Sequence, residues 1–307
     1  MYEVLIKRFE IPEAAAAFVD VFFIKEDIAV IEGVENPQCF TESDLIKILG
    51  QKSPQEYLQN AYERGVVSHQ DETHYSLNNF YGFLDVFVVT QKEKYHRCLT
   101  REERGRIDDW YFSTYCGRLN PDYSQRPTED VILTLEESWE YIDRDDRQLF
   151  WTNCDCKCLL GDCGLPTKVC LSYSSGDNTY SDRKVSEPVS KEKAKQIMTD
   201  ADKAGLIHTW NPSGFCNCCG DCCYLFRAQQ VRQSQKFWPK QNYEIRYDAE
   251  KCVGCGLCVK RCHFQVFTKT EDKKVALDLS GCVGCGLCAN TCPKSALNLV
   301  KIGGEQS

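Results

Sequence analysis

The segment CVGCGLCVKRC, Cys252 to Cys262, returns 30 residues later as CVGCGLCANTC, Cys282 to Cys292. Both copies read C-x2-C-x2-C-x3-C. Thiols this closely spaced need a tight loop, and Gly254, Gly256, Gly284 and Gly286 permit one whose backbone amides turn inward toward whatever the thiolates hold. The chain has 21 cysteines in 307 residues. That is an odd number in a chain too long to be a small disulfide scaffold, so metal ligation is the better reading.

The spacing, closed in the second copy by Cys292-Pro293, resembles the cluster-binding loops of bacterial ferredoxins. The resemblance covers residues 243–302 and implies a ferredoxin-like domain with two [4Fe-4S] clusters. In that family the fourth cysteine of each run ligates the other cube. The resemblance therefore implies Cys252, Cys255, Cys258 and Cys292 for one cluster, and Cys282, Cys285, Cys288 and Cys262 for the other. Val253, Leu257, Val283, Leu287 and Leu297 would shield them. The alternative is a pair of zinc sites, since C-x2-C pairs also build zinc ribbons. One position departs from the family: His263 follows Cys262 where proline is the rule, and it reads as a turn residue, with a group titrating near the cluster as the alternative.

A second cysteine district lies upstream. CDCKCLLGDCGLPTKVC supplies Cys154, Cys156, Cys158, Cys163 and Cys170, and CNCCGDCC supplies Cys216, Cys218, Cys219, Cys222 and Cys223. Between the two groups, SKEKAKQIMTDADKAGLIH reads as a helix capped by Ser190 and stopped by Gly205, with Ala194, Ile197, Met198, Ala201 and Ala204 on one face. A helix and a short strand would return one group to the other, so all ten cysteines are candidate ligands of one or two further iron–sulfur clusters, or of zinc. Cys156, Cys163, Cys170, Cys216, Cys219 and Cys222 are the foremost. Adjacent side chains diverge, so one cysteine of each neighbouring pair is expected to ligate. Buried or disulfide-paired cysteines are the plain alternative. The GLIH of Gly205 to His208 followed by a C-N-C-C string, with Pro166 upstream, is similar to cysteine-rich segments of large ferredoxin-like proteins of anaerobes.

The first 140 residues hold only Cys39, Cys98 and Cys116, read as ordinary core or surface residues. Thr41 and Asp44 have capping-box spacing, and Ser53, Pro54 and Glu56 open a second helix that ends near Gly65. VVSHQDETHYSLN then alternates around Asp71-Glu72 as a β-hairpin, with His69 and His74 as solvated positions. Helix, turn, helix, hairpin resembles a winged helix. Its charge argues against DNA as a partner: from Thr41 to Phe80, three basic residues face six acidic ones, and phosphate contacts need Lys and Arg.

The expected architecture is α+β. A winged-helix-like scaffold spans residues 1–140, a cysteine-rich metal-binding domain 141–242, and the two-[4Fe-4S] ferredoxin domain 243–307. The net charge of −8 is spread without long runs of one sign, and it offers neither a polybasic membrane patch nor a nucleic-acid footprint. The N-terminal stretch carries Glu10, Glu13 and Asp20 and fits neither a signal peptide nor a spanning helix, so a reducing cytoplasm is expected.

Function follows from the cysteines. The leading expectation is a multi-cluster electron-transfer protein or subunit of an anaerobic redox system, whose partner is a larger oxidoreductase. The second is a reductase in which the middle district is an active-site cluster fed by the ferredoxin domain. Cys218-Cys219-Gly220 shares three residues with the CCG motif of heterodisulfide reductase catalytic subunits. No dinucleotide-binding G-x-G-x-x-G, no Walker loop and no nucleophile with its base is present. The third is a redox-sensing regulator.

Overall fold

The structure is a computed structural model that describes residues 2–50, 54–161 and 163–303. The expected Ser53 cap lies outside the described residues. The chain divides into two compact units that interleave in sequence. The first takes Met1–Thr114, Thr152–Gly161 and Ser174–Pro188, and the second takes Tyr115–Trp151, Asp162–Tyr173 and Val189–Ser307. Among the described residues no helix is long and apolar enough to cross a membrane.

The first unit is mostly helical. Its centre is the helix Phe80–Thr90, apolar on nearly every side and buried at Phe80, Phe83, Leu84, Val86, Phe87, Val88 and Val89. A helix with no polar face must be surrounded. Phe9, Phe22 and Phe23 supply the surround, with Phe23 stacked on Phe83 at 4.8 Å and Phe22 edge-on to Phe87 at 5.1 Å. The helix starts where Asn79 accepts a hydrogen bond from the Gly82 amide at 3.0 Å, an N-cap that satisfies one orphan donor.

The elements read between Thr41 and Leu77 form in order. Glu42–Leu49 opens with the Thr41–Asp44 capping box, Pro54–Glu63 follows, and Val67–His69 pairs antiparallel with Tyr75–Leu77. Two buried charges fasten this region. Asp27, fully buried, takes both arms of the Arg64 guanidinium at 2.6 and 2.7 Å and the Tyr57 hydroxyl at 3.1 Å, so its lone pairs are satisfied. Arg183, also buried, donates to the Val67 carbonyl at 2.9 Å and Ser68 Oγ at 2.8 Å and lies over the Tyr62 ring. It ties the Ser174–Pro188 excursion to the hairpin.

The second unit holds strands of a six-stranded sheet, four of which run Val131–Leu133, Ile207–Asn211, Gly214–Cys218 and Lys168–Ser172 in spatial order. Ile207–Asn211 and Gly214–Cys218 form a tight hairpin in which His208 faces Asn217 and Thr209 faces Cys216. Against the sheet packs the helix Lys191–Ala204. Ser190 Oγ accepts the Lys193 amide, Gly205 ends the helix at φ 92°, and Ala194, Ile197, Met198 and Ala201 are buried. Beyond it, Tyr243–Tyr247 pairs with Leu297–Lys301 and Phe267–Lys269 with Val275–Leu277. Each cysteine loop is followed by a five-residue helix, Leu257–Arg261 or Leu287–Thr291. Ile245, Val266, Phe267, Val275 and Leu297 form the core between the two halves.

Candidate metal centres

The two C-terminal runs bend around two separate apolar cavities. One, of about 370 Å³ with its open mouth included, is lined by Cys252, Cys255, Cys258 and Cys292. The other, of about 350 Å³, is lined by Cys262, Cys282, Cys285 and Cys288. Each cavity thus takes three cysteines from one run and the fourth from the other.

The loops are shaped for this. Gly254 and Gly284 stand at φ 66° and 67°, and a Cβ on either would lie 1.6 Å from the Lys273 carbonyl oxygen or 2.0 Å from that of Tyr243. Only glycine fits a left-handed turn pressed this closely on neighbouring backbone. Backbone amides reach the sulfurs: Gly254 N–H donates to Cys252 Sγ at 3.4 Å and Ala296 N–H to Cys292 Sγ at 3.3 Å. Burial pushes the Cys285 thiol up to about 12 and raises Cys258, Cys282 and Cys288. Thiols in so apolar a wall become thiolates when a cation compensates them. Four thiols, inward amides and an apolar cavity fit an iron–sulfur cube in each place.

The loops share the sequence CVGCGLC, yet their surroundings differ. In the first, Val253 is 58% and Leu257 40% exposed, whereas in the second Val283 and Leu287 are each 2% exposed. The residues around Cys262 meet other parts of the second unit. His263 Nε2–H donates to the Gly205 carbonyl at 2.7 Å, Arg261 Nη1 donates to the Lys203 carbonyl at 2.9 Å, and Phe264 meets Phe226 edge-on at 5.2 Å. Gly220, in the turn after strand Gly214–Cys218, has room for no side chain, because a Cβ there would lie 2.6 Å from that of His263. The histidine that departs from the ferredoxin pattern is thus the residue that joins Cys262 to the cysteine-rich turn.

That turn sorts its cysteines into two sets. Cys219 and Cys222 converge with Cys163, from the loop before strand Lys168–Ser172, and with Asp221, all four donor atoms lying within 4.8 Å of one another. Cys219 and Cys222 are buried, Cys163 is half-buried and Asp221 is exposed. Contacts with Cys219 and Cys222 lower the Cys163 thiol, and contacts with Cys163 and Cys219 raise that of Cys222. The Cys222 amide donates to Cys219 Sγ at 3.3 Å. The other member of each neighbouring pair points elsewhere: Cys218 and Cys223 bring their sulfurs to 3.2 Å, and contacts with Cys216 and Cys223 hold the Cys218 thiol well above its ordinary value.

The remaining candidates are distributed. Cys154, Cys156 and Asp155 form a small donor group in the first unit. Cys158 is fully buried there, and burial together with nearby Cys154 pushes its thiol up to about 12. Cys170 is half-buried on strand Lys168–Ser172. Cys39 and Cys98 are exposed, and Cys116 is half-buried. Asp221 is the functional candidate that a cysteine count overlooks, although a carboxylate set inside C-N-C-C-G-D-C-C was there to be noticed.

No curated protein matches the chain. Residues 251–296 match the family model of the 4Fe-4S dicluster domain, so the two cysteine-lined cavities lie within a stretch similar to iron–sulfur dicluster proteins.

Proposed function

We infer that the chain is an electron-transfer protein, or an electron-transfer subunit, of an anaerobic redox system. The observation that carries this reading is the contrast between its two identical heptapeptides. The loop from Cys252 to Cys258 presents Val253 and Leu257 to solvent, while the loop from Cys282 to Cys288 is covered. A cube held by the first loop exchanges electrons with a partner oxidoreductase. A cube held by the second passes them inward, where His263, next to its ligand Cys262, abuts the turn at Gly220. A bound cube supplies one-electron capacity. The chain supplies the thiolates, the amides that tune them and the apolar wall that excludes water. In the first unit, the helix–helix–hairpin segment from Thr41 to Leu77 reads as a winged-helix-like docking scaffold.

The test is iron and acid-labile sulfide on anaerobically purified protein, with EPR of the reduced state. About eight irons and eight sulfides in the C-terminal domain, both cubes reducible, is the expected result. Protein that binds no iron, or cubes that no low-potential donor reduces, would sink the reading.

A second reading, a reductase, is favoured by the 3.2 Å approach of Cys218 Sγ and Cys223 Sγ. A disulfide between them would take two electrons, delivered singly by the cubes, and two protons, to give two thiols. Alkylation and mass spectrometry of the oxidised and reduced forms decide it. Identical labelling of Cys218 and Cys223 in both forms excludes the cycle.

A further inference from the structure

We propose that Cys163, Cys219, Cys222 and Asp221 hold a single tetrahedral Zn²⁺ and not an iron–sulfur cluster. This goes beyond the electron-transfer reading and does not depend on it. The distinction rests on spacing. A four-iron cube keeps its ligand sulfurs apart by its own width, and among the described residues the ferredoxin cysteines form no group whose sulfurs all lie within 4.8 Å of one another. The four donors of the middle group all lie within 4.8 Å of one another. A tetrahedral ion with Zn–S bonds of about 2.3 Å sets its sulfurs about 3.8 Å apart, which fits inside that limit.

The donor set agrees with the geometry. Three thiolates select a thiophilic ion, and a carboxylate completes four-coordination. Cys219 and Cys222 are buried, Cys163 is half-buried and Asp221 faces solvent. Cys219 and Cys222 flank the turn whose Gly220 lies against His263. An ion that fixes both cysteines fixes that turn, and with it the backing of Cys262. Zinc has no redox change of its own here. Its role is to hold the turn at Gly220 in place.

The experiment uses the full chain, purified anaerobically and dialysed against EDTA, with metals counted by mass spectrometry and the site read by zinc-edge X-ray absorption. The wild type is expected to keep about one zinc beside about eight irons, with three sulfurs near 2.3 Å and one oxygen near 2.0–2.2 Å around the zinc. Cys219→Ser should lose the zinc and keep the iron. Asp221→Cys should keep the zinc and change its shell to four sulfurs, which preserves the test if the serine variant does not fold. About twelve irons without zinc would overturn the proposal in favour of a third cube, and so would zinc that survives in Cys219→Ser. Missing C-terminal iron with zinc retained would count against the electron-transfer reading and leave this one standing.

Discussion

Gly220 and His263 touch through the absence of a side chain: a Cβ on Gly220 would lie 2.6 Å from the Cβ and 3.0 Å from the carbonyl oxygen of His263. It brings the cysteine-rich turn against the residue next to Cys262, an expected cube ligand. Gly220→Ala must therefore push the two segments apart. Overpacking of this kind costs about 1–3 kcal/mol, and denaturant titration should show that loss. Redox titration by EPR should find one of the two cube potentials moved and the other unchanged. Movement of both, or of neither, would mean that the contact does not tune the inner cube.

The two loops offer an internal control, since the same leucine occupies the same place in each heptapeptide. Leu257 is 40% exposed and Leu287 2% exposed. Leu287→Ala should destabilise the protein by about 2–5 kcal/mol, as burial of a full leucine side chain requires, while Leu257→Ala should stay within about 0.5 kcal/mol. Electron exchange with an external partner should reverse the ranking, with Leu257→Asp slowing it and leaving iron content intact.

Loss of one thiolate should remove one cube. Cys252→Ser and Cys285→Ser are each expected to lower iron from about eight to about four per chain without touching metal bound upstream. Cys285 lies in the covered loop, so its variant should also unfold at lower denaturant than that of Cys252. Equal iron loss at both cubes from either substitution would show that the two sites assemble as one.

His208 predicts a pH dependence. Its ring is 2% exposed, and Nδ1–H donates to Asn217 Oδ1 at 2.6 Å, which leaves Nε2 unprotonated and 3.9 Å from Asp202 Oδ1. Burial, only partly opposed by the Asn217 hydrogen bond and by Asp202 and Glu136, lowers its pKa below the ordinary 6.5. The unfolded chain therefore binds a proton that the folded chain refuses. Stability is full above about 6.5 and falls as pH drops toward the native value, by at most about 1.4 kcal/mol per pH unit. His208→Gln should flatten that slope between pH 6.5 and 5 in denaturant titrations. An unchanged slope would place the acid sensitivity in other groups.

Much of this was legible before any coordinates. The duplicated cysteine runs specify loops whose shape follows from glycine and thiol positions alone, and the caps at Thr41 and Ser190 are local bargains between one side chain and one amide. The helix Lys191–Ala204 announced itself by its apolar spacing. What could not be read was which cysteine of the pairs Cys218-Cys219 and Cys222-Cys223 joins which partner, because that depends on the return of Cys163 from more than fifty residues away. Nor does the heptapeptide CVGCGLC carry the difference between its two copies. Exposure there is set by what the fold places against each loop, which lies outside the repeated motif.

The interleaving of the units bears on how the chain is made. The first unit draws its last segment from Ser174–Pro188, and Arg183 in that segment is buried against the hairpin near Val67 and Ser68. On the ribosome, the N-terminal 114 residues must wait for Arg183 to emerge before their structure can close. At about 5–20 residues per second this is a delay of several seconds, during which the phenylalanine-rich segment from Phe80 to Thr90 is a natural client for a chaperone. The ferredoxin loops follow all of these first-unit segments in the chain, so they emerge after the first unit's parts are already present.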